Sequence, residues 1–162
     1  MSDRPDGQNR KYIRKVLEKE KKKLEIDLGI MITIDSDSRG EDGSKSIDDV
    51  VLKKISNCDI FIGDITPLNP RVPFIKRKKL VPNPNVQYEL GFAVASLGWN
   101  RCIMVWNSRY GDVNMAPFDI RNHSTVTYIV GKHDLSLYGI LKNKIVTMFA
   151  GENTKQPIGD SP

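Results

Sequence analysis

Apolar positions recur along the chain in two rhythms: short dense runs, and longer stretches with helical spacing. Over residues 8–25, Tyr12, Ile13, Val16, Leu17 and Leu24 fall near one face while charges fill the rest, which predicts an amphipathic helix. Residues 30–34 are a short β-rich run, followed by a polar loop over 35–43. Ser46, with Asp49 three residues later, resembles a capping box for a helix reaching Asn57. Residues 58–66 form the most apolar run and predict a buried strand, and residues 67–82 make a long basic loop that carries prolines. Pro84 has its φ preset for a first helical turn, Asn83 before it is a good N-cap, and Gly98 is a normal stop, so a helix is expected over 84–97. A strand over 101–107, a loop with Tyr110, Pro117 and Asp119, a strand over 125–130 and a helix over 134–149 complete the pattern. The polar tail 151–162 is expected to fray from a domain spanning 1–150.

Apolar strands separated by helices imply an α/β fold with a parallel sheet covered on both faces. The order opens on a helix, whereas a doubly wound domain opens on a strand at the sheet centre. The first seven residues read as a strand-to-helix loop lacking its strand. In the usual 2-1-3 order that absent strand separates 30–34 from 58–66, so those two runs are expected not to pair.

Composition narrows the class. The chain has 162 residues, 39% of them hydrophobic and 28% charged, with a net charge of +5. That is enough chain for a substantial core. No apolar run approaches a membrane span and no leader-like segment opens the chain, so a cytoplasmic protein with no membrane partner is expected. Cys58 and Cys102 read as buried thiols of a reducing compartment. The basic clusters are Lys19 with Lys21–Lys23, and Lys76–Lys79. They lack interleaved aromatic residues, which favours solvated faces over a nucleic-acid surface.

Candidate chemistry gathers where the strand 58–66 ends and the helix 84–97 begins. This brings Asp64, Thr66, Asn85 and Glu89 near one crevice, at the carboxyl end of a strand and the amino end of a helix. Glu89 lies at the edge of the helix's apolar stripe. A carboxylate there can stabilise or attack an oxocarbenium ion; equally, it can be a solvated glutamate or the partner of an arginine. Asp64 either caps the next loop or hydrogen-bonds a ribose. The loop from Asp35 is no EF-hand, because Arg39 and Ser46 occupy its fifth and twelfth positions; no metal is expected. His123 and His133 read as surface or strand-end residues, and Trp99 and Trp106 as packing residues.

Three stretches carry a family resemblance: Cys-Asp-Ile-Phe-Ile-Gly-Asp-Ile-Thr at 58–66, Asn-Pro-Asn-Val-Gln-Tyr-Glu-Leu-Gly-Phe-Ala at 83–93, and Arg-Cys-Ile-Met-Val-Trp-Asn at 101–107. Together with Asn9–Ile13, Asp48 and Pro117–Arg121, they resemble the bacterial TIR-like predicted nucleotide-binding proteins, kin in fold to TIR domains and nucleoside 2-deoxyribosyltransferases. The resemblance implies a flavodoxin-like, TIR-type fold and an anti-phage setting. NAD would be a substrate rather than a cofactor, and Glu89 would be the catalytic carboxylate of an NAD glycohydrolase. It further implies that Asp64 and Asn85 orient the ribose, that Thr66 is also substrate-binding, that Tyr88 or Phe92 walls the base, and that TIR-like domains self-associate. A deoxyribosyltransferase using the same glutamate, and a nucleotide-sensing or TIR–TIR interaction module without turnover, are the alternatives.

Overall fold

The computed structural model describes residues 5–35, 47–68, 80–121, 123, 125–130 and 134–150. Three parallel strands form its sheet in chain order: β1 (Phe61–Asp64), β2 (Cys102–Asn107) and β3 (Thr125–Tyr128). Phe61 stands opposite Cys102, and Met104 opposite Thr125. Around the sheet run α1 (Pro5–Leu28), α2 (Ile47–Ser56), α3 (Pro84–Leu97), the short α4 (Phe118–Arg121) and α5 (Asp134–Ala150).

All six residues of β2 are buried, as a strand with partners on both edges and helices on both faces must be. Alternation along the strands divides the core in two. Ile60, Ile62, Ile103, Val105, Val126 and Tyr128 pack against α1 and α5. Phe61, Ile65, Cys102, Met104 and Trp106 face α2, α3 and α4 through Ile55, Leu90, Ala93 and Ile120. Trp106 is fully buried, and its indole N–H donates to the Gly111 carbonyl at 2.8 Å.

Several elements begin and end where the sequence places them. Asn83 caps α3 by accepting from the Asn85 N–H at 2.9 Å, and Gly98 ends it with φ at 82°. Helix α1 runs further than expected, to a stop at Gly29 with φ at 64°. The run 30–34 is a correction: residues 31–35 form no strand. Its Ile32 and Ile34 do lean on the α1–α5 core, but the Ile32 N–H donates to the Glu25 carboxylate at 2.9 Å instead of a ladder. Asp35 is held by Lys54 at 3.1 Å. Among the described residues this segment and β1 do not pair. The expected capping residue Ser46, the loop 36–46 and most of the basic loop lie outside the described residues. The base of that basic loop is closed by a Pro67–Pro82 bridge and by the Leu68 N–H donating to the Val81 carbonyl at 3.2 Å.

Trp106 joins the central strand to one half of the core, so its truncation probes the whole sheet. Trp106→Ala is expected to lower stability by about 3–5 kcal/mol in urea denaturation. Trp106→Phe, which keeps most of the volume and loses the bond to Gly111, should cost about 1–2 kcal/mol. Equal losses for the two variants would mean that the hydrogen bond, not packing, dominates.

Candidate functional site

At the carboxyl edge of the sheet the chain leaves β1 through a hydrogen-bonded turn. Asp64 Oδ1 accepts from the Thr66 N–H at 3.1 Å and from the Thr66 hydroxyl at 2.5 Å. That hydroxyl in turn accepts from the Asn107 N–H at 2.9 Å, tying the end of β1 to the end of β2. Asn107 Oδ1 accepts from the Arg109 N–H at 3.1 Å and so caps the short turn Ser108–Tyr110. This fixes the orientation of the amide: Asn107 Nδ2 is left to donate to Asn9 Oδ1 on α1, at 2.8 Å.

Asn9 is fully buried, and Tyr128, the ladder partner of Asn107, is 4% exposed. Asn9 Nδ2 and Tyr128 Oη have no hydrogen-bond partner. The Tyr12 ring, one turn along α1 from Asn9, stacks on Tyr128 with centroids 5.8 Å apart and planes 11° off parallel. Burial raises the Tyr128 phenol far above its ordinary pKa, and the Asp64 carboxylate raises it further. Thr66 lies near enough to oppose that shift, although the phenol oxygen finds no partner at hydrogen-bonding geometry.

The other candidates lie along α3. Asn85 is exposed on its first turn, Tyr88 is 60% exposed, and Glu89 is half-buried. Phe92 is half-buried and packs on the α2–α3 core with Leu90 and Ala93. Asp64 and Thr66 are therefore brought into one network, whereas Asn85, Tyr88, Glu89 and Phe92 share a helix over the opposite sheet face. Topology places only the amino end of that helix, where Asn85 lies, on the carboxyl-edge side of the sheet. Since β1 and β2 are parallel, the helix joining them runs back, and its capped amino end lies at that edge.

Three members of the network escaped sequence reading: Asn9, Asn107 and Tyr128. The signal for Asn9 was a polar residue in register with the buried stripe Ile13, Val16 and Leu17. At the opposite edge of the sheet the two thiols are free. Burial, and then the neighbouring Cys58, push the Cys102 thiol up to about 11. Trp99, expected to be a packing residue, packs on His123 with ring centroids 3.4 Å apart and is 38% exposed.

Among the described residues no cluster of His, Cys, Asp or Glu is arranged to hold a metal, and no helix is long and apolar enough to cross a membrane. The fold and this edge define an α/β protein with a three-stranded parallel sheet and a polar network at its carboxyl end. No protein-family model, curated protein or solved structure matches the chain.

Two measurements probe the network. Thr66→Val leaves both the Asp64 carboxylate and the Asn107 N–H without the hydroxyl, and is expected to cost about 1–3 kcal/mol in urea denaturation, with Thr66→Ser close to wild type. If valine and serine behave alike, the hydroxyl does not bridge the strands. Tyr128 gives a pH dependence. Its phenol ionises at its ordinary value of 10.0 when unfolded and stays neutral when folded, so unfolding releases a proton in alkali. Its contribution is intact below about pH 10 and is lost as pH rises beyond it. Tyr128→Phe should flatten the alkaline loss of stability between about pH 9 and about pH 11; an unaltered slope would remove Tyr128 from this role.

Proposed function

We propose that the chain is a flavodoxin-like, TIR-type nucleotide-binding domain that hydrolyses the nicotinamide–ribose bond of NAD in the bacterial cytoplasm, as an anti-phage response. The observation that carries this reading is the convergence at one sheet edge. The Asp64–Thr66–Asn107 network ends the strands there, and the capped amino end of α3, which bears Asn85 and leads on to the half-buried Glu89, lies towards the same edge. Helix amino ends and strand carboxyl ends are where α/β folds bind nucleotides.

On this reading Asp64 and Asn85 orient the ribose, and Tyr88 or Phe92 walls the base. The bond between the ribose carbon and the nicotinamide nitrogen breaks with its electron pair leaving on nicotinamide. Positive charge develops on the ribose, and the Glu89 carboxylate stabilises it more in the transition state than in the ground state. Water then bonds to that carbon and releases a proton, giving ADP-ribose. A module that self-associates without turnover is the second reading. It draws on Tyr88, a large aromatic side chain 60% exposed on α3.

Glu89→Gln keeps size and removes charge. It is expected to lower NAD cleavage by on the order of a hundredfold or more while NAD binding persists. Asn85→Ala should act more mildly, mainly on binding. Chromatography of NAD and its products, with the protein at high concentration or clustered, checks this. Wild-type protein that leaves NAD intact under those conditions, or a glutamine variant as fast as wild type, would overturn the glycohydrolase reading in favour of the module.

A further inference from the structure

Two polar side-chain atoms at the carboxyl edge stand out because folded proteins seldom leave such groups unpaired. Asn9 Nδ2 and Tyr128 Oη are both buried and both without a hydrogen bond. Each unmet group of this kind lowers stability, a cost that calls for an explanation.

They belong to one place. Asn107 holds Asn9 through its amide and pairs with Tyr128 across the sheet. Tyr12 is one turn from Asn9 and lies flat on the Tyr128 ring. The Asp64 carboxylate is close enough to act on the Tyr128 phenol. The chemistry of the group is uncharged on one side and anionic on the other. Asn9 offers an N–H, Tyr128 a hydroxyl that can donate or accept, and Asp64 a carboxylate that can only accept. That set does not suit a phosphate, which a carboxylate would repel. It suits neighbouring hydroxyl groups, each of which can both donate and accept.

We infer that Asn9 Nδ2 and Tyr128 Oη form the subsite that receives the hydroxyl groups of a ligand's ribose, so that the site selects ribonucleotides over 2′-deoxyribonucleotides. The inference rests on the nucleotide-binding reading above and narrows it, because it sets the chain apart from an enzyme that handles deoxyribose. Sites whose buried polar groups await a substrate hydroxyl discriminate strongly against the analogue lacking it, since the groups then stay unpaired. Asn9 lies near the amino end of α1, directly after the exposed Gly7 and Gln8.

The test is calorimetric binding of AMP and of nicotinamide mononucleotide, each against its 2′-deoxy counterpart, to the whole chain and to Tyr128→Phe and Asn9→Ala. Wild type is expected to bind the ribose form about tenfold or more tightly. Tyr128→Phe should bring the affinity for the ribose form down towards that for the deoxy form, so that the discrimination shrinks or disappears. The same variant should be as stable as wild type at neutral pH or more so, because it removes a hydroxyl that has no partner in the free chain. That combination, lost discrimination without lost stability, is one a purely structural tyrosine would not give. Asn9→Ala also loses the bond to Asn107, so its binding is read only if circular dichroism shows it folded; Tyr128→Phe alone decides the matter otherwise. Equal wild-type affinities for ribose and deoxyribose forms would overturn the inference and leave nucleotide binding standing. Discrimination that persists in Tyr128→Phe would overturn it too. Binding of neither form would overturn the parent reading, and this one with it.

Discussion

A single hydroxyl governs how the carboxyl edge is built. The ladder between β1 and β2 runs through backbone groups as far as Ile65, whose N–H donates to the Val105 carbonyl at 3.0 Å. At the next step the Asn107 N–H turns to the Thr66 hydroxyl, and that hydroxyl donates its own hydrogen bond to Asp64. A side chain thus stands in for a main-chain acceptor. The chain can leave the sheet at Thr66 without exposing a strand end, since a buried N–H must find an acceptor somewhere. The same substitution sets the position of Asn107, and Asn107 sets that of Asn9 on α1. Two strands and a helix are therefore registered by three consecutive polar contacts.

This dependence explains which parts of the fold were legible in the sequence. Helix α3 was read almost residue for residue, because its determinants are local: Asn83 caps it, Pro84 starts it and Gly98 stops it. The six-residue run of β2 was equally plain, since a strand buried on both faces is apolar throughout. The run 30–34 has the alternation of a strand, with Ile32 and Ile34 inward and Met31 and Thr33 outward. Among the described residues, no strand pairs with it. Periodicity reports which side chains are buried, whereas a strand is defined by what its backbone bonds to, and Ile32 bonds to Glu25.

The site was legible only in its local half. Asp64 and Thr66 are two residues apart, so their turn could be anticipated. Asn9 and Asn107 are separated by 98 positions, and Thr66 and Asn107 by 41. No spacing rule connects such pairs. Asn9 shows on the helical wheel as a flaw in an apolar stripe, and a flaw of that kind marks a partner without saying which. Tyr128 was hidden differently: tyrosine is common in strands, and nothing in Thr125–Tyr128 distinguishes a phenol that is satisfied from one that is not.

The sheet itself constrains any ligand that serves both halves of the site. The Asp64 network lies over the α1–α5 face, while Glu89 rides on α3 over the other. A ligand touching both cannot lie on either face; it must cross the carboxyl edge between β1 and β2. A sugar suits that crossing, because its hydroxyl groups and its glycosidic carbon project in different directions from a rigid ring. The hydroxyl groups can then enter the α1 side while the reacting carbon stays towards α3. On the proposed reading, binding energy from the ribose hydroxyl groups would fix the scissile bond relative to Glu89, which is how contacts remote from the reacting atoms contribute to rate.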